Sequence, residues 1–152
     1  IMLKGINPLL SPDLLKILAE MGHGDEIVLA DANFTAMSLA AGKPVIQMPG
    51  VGMGPICAAV LSVFPLDEFV EQPCAFMQVG GAAEGYRSAL QREVIGRAVA
   101  DGHAKDGQFE AMERFAFYDR VRRAFAIVQT GEMQAWGNFL FKKGVIAEPL
   151  RP

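Results

Sequence analysis

Gly22-His23-Gly24-Asp25-Glu26-Ile27-Val28-Leu29-Ala30-Asp31 is the stretch on which the reading of this chain turns. One of only two histidines stands between glycines, an apolar run follows, and the run stops on an aspartate. The run is continuous rather than alternating, the pattern of a strand covered on both faces of its sheet. Just upstream, Ser11-Pro12-Asp13 supplies a cap residue, a first-turn proline and an acid at the positive end of a helix. Leu14, Leu15, Ile17, Leu18 and Met21 then recur at helical spacing, and Gly22 is placed to end that helix in a left-handed conformation. The expected order is helix, histidine, buried strand, carboxylate. In open α/β sheets ligands bind at the carboxyl ends of the strands. A histidine and Asp31 meeting there would donate and accept protons near neutral pH.

Further along, Lys43–Met48 reads as a second strand running into the glycine-rich turn at 49–55, followed by a helix over about 55–63. Cys74–Val79 reads as a third strand, and a longer helix covers about 84–100. Another helix begins near Arg114, a strand occupies 125–129, and Asn138–Phe141 forms the last one. Strands and helices alternate, so the fold class is α/β, with helices on both sides of a mostly parallel sheet. The last two strands are close in sequence, so one antiparallel pair is expected.

The 152 residues fit one domain spanning 1–152. Hydrophobic residues make up 51% and mean hydropathy is +0.24, which calls for a large core or for apolar surface buried between subunits. A net charge of -3 leaves no basic footprint for nucleic acid. No apolar run reaches the ~18–20 residues that span a bilayer, and no secretory signal is evident at the N-terminus. Cys57 and Cys74, the only cysteines, lie in apolar surroundings, which fits a reducing cytoplasm.

Several chemistries lack the residues they would need. Gly50-Val51-Gly52 follows a strand and precedes a helix, but no full dinucleotide or P-loop pattern surrounds it, so a tightly packed turn or a loop in an interface is the expectation. His23 and His103 are eighty positions apart and no Cys/His pair has ligand spacing, so no metal is expected. Both cysteines read as packing rather than as nucleophiles. His23 has two readings, an imidazole projecting into a cleft or a cap on the first helix's C-terminus. Asp31 likewise either serves a site or closes an Asx-turn. Two more segments carry polar chemistry at predicted element ends. Glu113-Arg114-Phe115-Ala116-Phe117-Tyr118 offers a guanidinium fork with Tyr118 a turn further on. Gln134-Ala135-Trp136-Gly137-Asn138 sets the sole tryptophan beside a side-chain amide, which reads either as core packing or as a pairing suited to the face and hydroxyls of a sugar ring.

Taken in order, Leu-Ala-Glu-Met-Gly-His-Gly-Asp-Glu at 18–26, Asp31, Arg-Phe-Ala-Phe-Tyr at 114–118, Thr-Gly-Glu at 130–132, Asn138 and Lys-Lys-Gly-Val at 142–145 resemble the RbsD/FucU family of sugar mutarotases, and its fucose branch more than its ribose branch. The resemblance runs from Met2 to about Ile146. It implies a three-layer α/β/α subunit in a toroidal decamer with sites at subunit boundaries. It implies His23 as the catalytic proton donor, and Asp31, Arg114, Tyr118, Trp136 and Asn138 around the sugar. Arg114 takes the place of a histidine of the ribose branch. Trp136 stands where the family usually has tyrosine and Thr35 where it usually has proline, differences that bear on which sugar is taken. The activity so implied is anomer exchange of L-fucose or a related monosaccharide, without cofactor or metal, in the cytoplasm. The alternatives are pyranose–furanose interconversion of ribose and non-catalytic sugar binding.

Overall fold

The computed structural model describes residues 3–148. Helix α1 (Pro12–Glu20) opens as its sequence dictates, with the Ser11 hydroxyl accepting the Leu14 N–H. Its far end differs from expectation. Met21 turns extended, Gly24 rather than Gly22 takes the left-handed conformation (φ +88°), and the closing cation is distant in sequence. The Lys143 ammonium donates to the carbonyls of Leu18 and Met21 at 2.6 and 2.5 Å, satisfying the exposed negative end of the helix.

Strand β1 (Glu26–Ala30) follows, then a short helix α2 (Ala36–Leu39), β2 (Val45–Met48), α3 (Met53–Leu61), β3 (Cys74–Met77) and α4 (Ala89–Ala100). A 3₁₀ turn at Asp106–Gln108 leads into β4 (Phe109–Met112), followed by α5 (Arg114–Arg122), β5 (Ala126–Thr130) and β6 (Phe139–Lys142). The strands form one sheet in the order β2-β5-β1-β6-β3-β4. Neighbouring pairs are parallel except at β6, which runs antiparallel to both β1 and β3. Five strands therefore point one way and one is reversed. The antiparallel strand was anticipated, but its partner was not. β6 lies between β1 and β3, while β5 sits on the other side of β1. The expected strands and helices are present, β2, β3 and α4 with shorter bounds and α3, β5 and β6 shifted by one or two residues. Helix α2 and strand β4 had no sequence expectation.

Alternate residues of β1 feed two cores. Ile27 and Leu29 join Phe139 and Phe141 beneath α1, α3 and α4, whereas Val28 and Ala30 join Leu140, Phe117 and Val121 beneath α2 and α5. Burial on both faces is why the run is apolar at every position. Each fully buried Leu, Ile or Phe contributes roughly 1.5–3 kcal/mol, so the two cores, not the short helices, hold the layers together. The turn at 49–55 leads into α3. Gly52 caps α3, and the Glu132 carboxylate accepts the Met53 N–H at 3.2 Å, filling the position an anionic ligand would take at that helix end.

Candidate functional site

Five of the six residues singled out in the sequence meet at one edge of the sheet. Asp31 follows the carboxyl end of β1 and Met77 ends β3. Because β6 is reversed, its first neighbour Asn138 lies at this same edge. Arg114 and Tyr118 come from the first turns of α5, and Trp136 from the loop entering β6. Together with Asn33, Phe34 and Ala135 they line a cavity of about 200 Å³, which suits a small polar ligand rather than a dinucleotide. It lies where ligands of parallel α/β sheets bind.

Its floor is buried and its rim is open. Asp31 and Asn138 are each 3% exposed. The Asp31 N–H donates to Asn138 Oδ1 at 2.8 Å, and Asp31 Oδ1 accepts the Asn33 N–H at 3.0 Å. Asp31 thus closes an Asx-turn and faces the cavity at once, so the two readings of it are compatible. Burial pushes its carboxyl above the ordinary carboxylate range, and hydrogen bonds from the backbone of Asn33 and Gly137 and from Asn138 hold the rise in check. At the rim, Arg114 Nε donates to the Tyr118 hydroxyl at 2.9 Å, and the guanidinium carbon lies 5.3 Å from the ring centres of both Phe115 and Tyr118. Phe34 meets Tyr118 edge-on at 5.6 Å. The cavity therefore offers an acceptor floor, a donor fork and aromatic walls.

His23 lies elsewhere. It precedes β1 while Asp31 follows it, and five strand residues span ~17 Å at about 3.3 Å each. The histidine and the carboxylate do not meet within one subunit. Nor does His23 cap α1, since Lys143 does. Its Nε2 bonds Asp67 Oδ1 at 3.0 Å, and its ring packs 5.3 Å from that of Phe69. The imidazole is 45% exposed and the Asp67 side chain 5%. Burial alone would raise the Asp67 carboxyl. The Phe69 N–H and His23 outweigh that and leave it below its ordinary value. An ionised carboxylate accepts, so Nε2 carries the hydrogen and Nδ1 is the nitrogen free to exchange a proton.

Asp67 had no signal in the sequence. Leu66-Asp67-Glu68-Phe69 reads as an ordinary turn, and the pairing with His23 spans 44 positions. It arises because the ends of β6 and the 65–67 loop are sewn together: Asp67 N–H donates to Lys142 O at 3.0 Å and Gly144 N–H to Pro65 O at 2.8 Å. A side chain at Gly144 would sit 2.3 Å from the Leu66 carbonyl oxygen, so glycine is required for that approach.

The sequence profile of the RbsD / FucU transport protein family matches residues 4–146. The chain belongs to the RbsD/FucU family. It is 44% identical over 144 residues to an L-fucose mutarotase of Actinobacillus pleuropneumoniae, covering 95% of this chain and 97% of that one. It is 43% identical over 156 residues to the fucose mutarotase of Homo sapiens, with 95% of each covered. Among solved structures, the fucose mutarotase of Streptococcus pneumoniae in complex with L-fucose superposes with a TM-score of 0.83 at 40% identity, covering 95% of this chain and all of that one. RbsD/FucU membership thus agrees with the six-stranded sheet and with the resemblance drawn from residues 18–145.

Proposed function

We propose that this RbsD/FucU chain is a mutarotase, a carbohydrate isomerase that interconverts the α and β anomers of L-fucose, acting as a single domain over residues 1–152. The observation that carries this reading is the cavity at Asp31, where acceptor, donor and aromatic groups converge at the scale of one sugar ring. Asp31 and Asn138 accept and orient ring hydroxyls from the floor. The Arg114 fork donates from the rim, and Trp136 and Tyr118 give the C–H face of the pyranose an aromatic surface.

Anomer exchange opens the ring and recloses it. The ring oxygen gains a proton as the anomeric hydroxyl loses one, and reclosure on the other face reverses both transfers. His23, held at Nε2 by Asp67, presents Nδ1 for these transfers and serves in both directions. Since β1 separates His23 from the cavity of its own subunit, the proton donor comes from a second copy whose His23 edge abuts this cavity. Phe69 beside His23 (76% exposed) and Phe115 beside Arg114 (62%) supply apolar surface for such a contact. A decamer working in the cytoplasm fits that arrangement.

Replacing His23 tests the mechanism. In His23→Ala, L-fucose binding by calorimetry stays near wild type while exchange, followed by saturation-difference NMR, falls ~10²–10⁴-fold. Wild-type exchange in that variant would overturn the assignment.

A further inference from the structure

Gln91 is completely buried in the first turn of α4, with its amide oxygen and both amide hydrogens engaged in hydrogen bonds. Its Oε1 accepts the Ser88 N–H at 2.9 Å, while the Ser88 hydroxyl accepts the Gln91 N–H at 3.2 Å. That reciprocal cap fixes which way the amide points. Its NH₂ group is turned onto two carbonyls from other elements, Met77 at the end of β3 (2.8 Å) and Trp136 in the loop before β6 (3.1 Å). Both residues line the proposed sugar cavity. We propose that Gln91 is a positioning residue of that cavity, its amide pinning the Trp136 loop to the end of β3 and so setting where the indole stands at the rim. The proposal rests on the reading of the Asp31 cavity as the sugar site.

Three observations show why the loop needs a clamp. Trp136 adopts φ +64°, a left-handed backbone that side chains other than glycine rarely hold without support. Its ring is wedged over Gly80, where an added Cβ would lie 2.7 Å from Trp136 Cη2. At Gly137 a Cβ would lie 2.8 Å from Leu90 Cδ2, so the loop is pressed against α4 beside Gln91. Helix capping does not explain the choice of glutamine. Glutamate closes a capping box equally well, but its carboxylate would set negative oxygen against the two carbonyls.

The chain's sole tryptophan makes the clamp directly observable. In Gln91→Glu, emission shifts to the red, acrylamide quenching increases, and KM for L-fucose rises about five- to tenfold with kcat within about twofold of wild type. Gln91→Met, which has no donor and no charge, shows the same shifts and serves if the glutamate variant fails to fold. Ser88→Ala removes half of the helix cap without touching the clamp, so it lowers Tm and leaves emission and KM at wild-type values. Gln91 variants with wild-type emission and KM, losing only Tm as Ser88→Ala does, would reduce Gln91 to a helix cap and overturn the proposal. The fluorescence needs no sugar. If the wild-type protein fails to exchange fucose anomers, the sugar reading fails while the emission shift still decides the clamp.

Discussion

Asp31 carries two opposed demands. Its backbone and one carboxylate oxygen are tied into the end of β1, while in the proposed sugar site the carboxylate must stay charged enough to accept hydroxyls from a buried floor. Burial raises its pKa above the usual 3.8, so on acidification the folded protein takes up this proton sooner than a free aspartate would. The sign follows directly: L-fucose affinity is full above the raised value and declines as pH falls through it. Calorimetric titrations across pH should therefore show an acid limb lying above 3.8, and Asp31→Asn should lack that limb while binding more weakly throughout. Asp31, Arg114, Tyr118, Trp136 and Asn138 were legible as a polar and aromatic set because each stands at an element end with local punctuation. Asp67, Met77 and Gln91 were not. Their partners lie 44, 61 and 45 positions away, and nothing near them in sequence announces the pairing.

Among the elements, α5 bears the most telling tie. Arg120 is 13% exposed and forks to Glu26 of β1, with Nη2 at 2.6 Å, and to Glu110 of β4, with Nη1 at 2.7 Å. The helix thereby braces two strands that do not touch each other, with Glu26 as buried as the arginine. Arg120→Ala leaves Glu26 without its partner, and urea denaturation should register a loss of about 2 kcal/mol or more, with the L-fucose exchange assay at 25 °C little changed. Apolar run length and capping residues were enough to foresee α1, β1, α3, β3 and α5. Two elements escaped for physical reasons. Phe109-Glu110-Ala111-Met112 is only four residues with one fully buried side chain, and Thr35 makes no side-chain cap to mark the start of α2. Gly22 was misassigned because helix closure came from Lys143, 122 positions away from Met21.

Across the molecule, the two kinds of chemistry stand at opposite edges of one sheet, acceptors and aromatics at the carboxyl end of β1 and His23, the proposed proton donor, before its start. The proposed mechanism then requires sharing between copies, and mixing experiments test it. His23→Ala and Asp31→Ala, each inactive alone, should regain about a quarter of wild-type exchange when dissociated and reassembled at equal ratio, because a random assembly joins an intact His23 to an intact Asp31 at one site in four. No recovery would overturn the sharing of His23 and Asp31 between copies. Sequence periodicity revealed alternating layers but not strand order, since parallel pairing is decided by contacts far apart along the chain. That order has a bearing on how the protein is made. β6 follows the other five described strands along the chain, yet it fills the gap between β1 and β3. Until residue 142 is synthesised, the halves β2-β5-β1 and β3-β4 have no common neighbour, and their facing edges stay open to other chains. The sheet is therefore incomplete until β6 has been made, and the growing chain depends on this strand to cover the facing edges of β1 and β3.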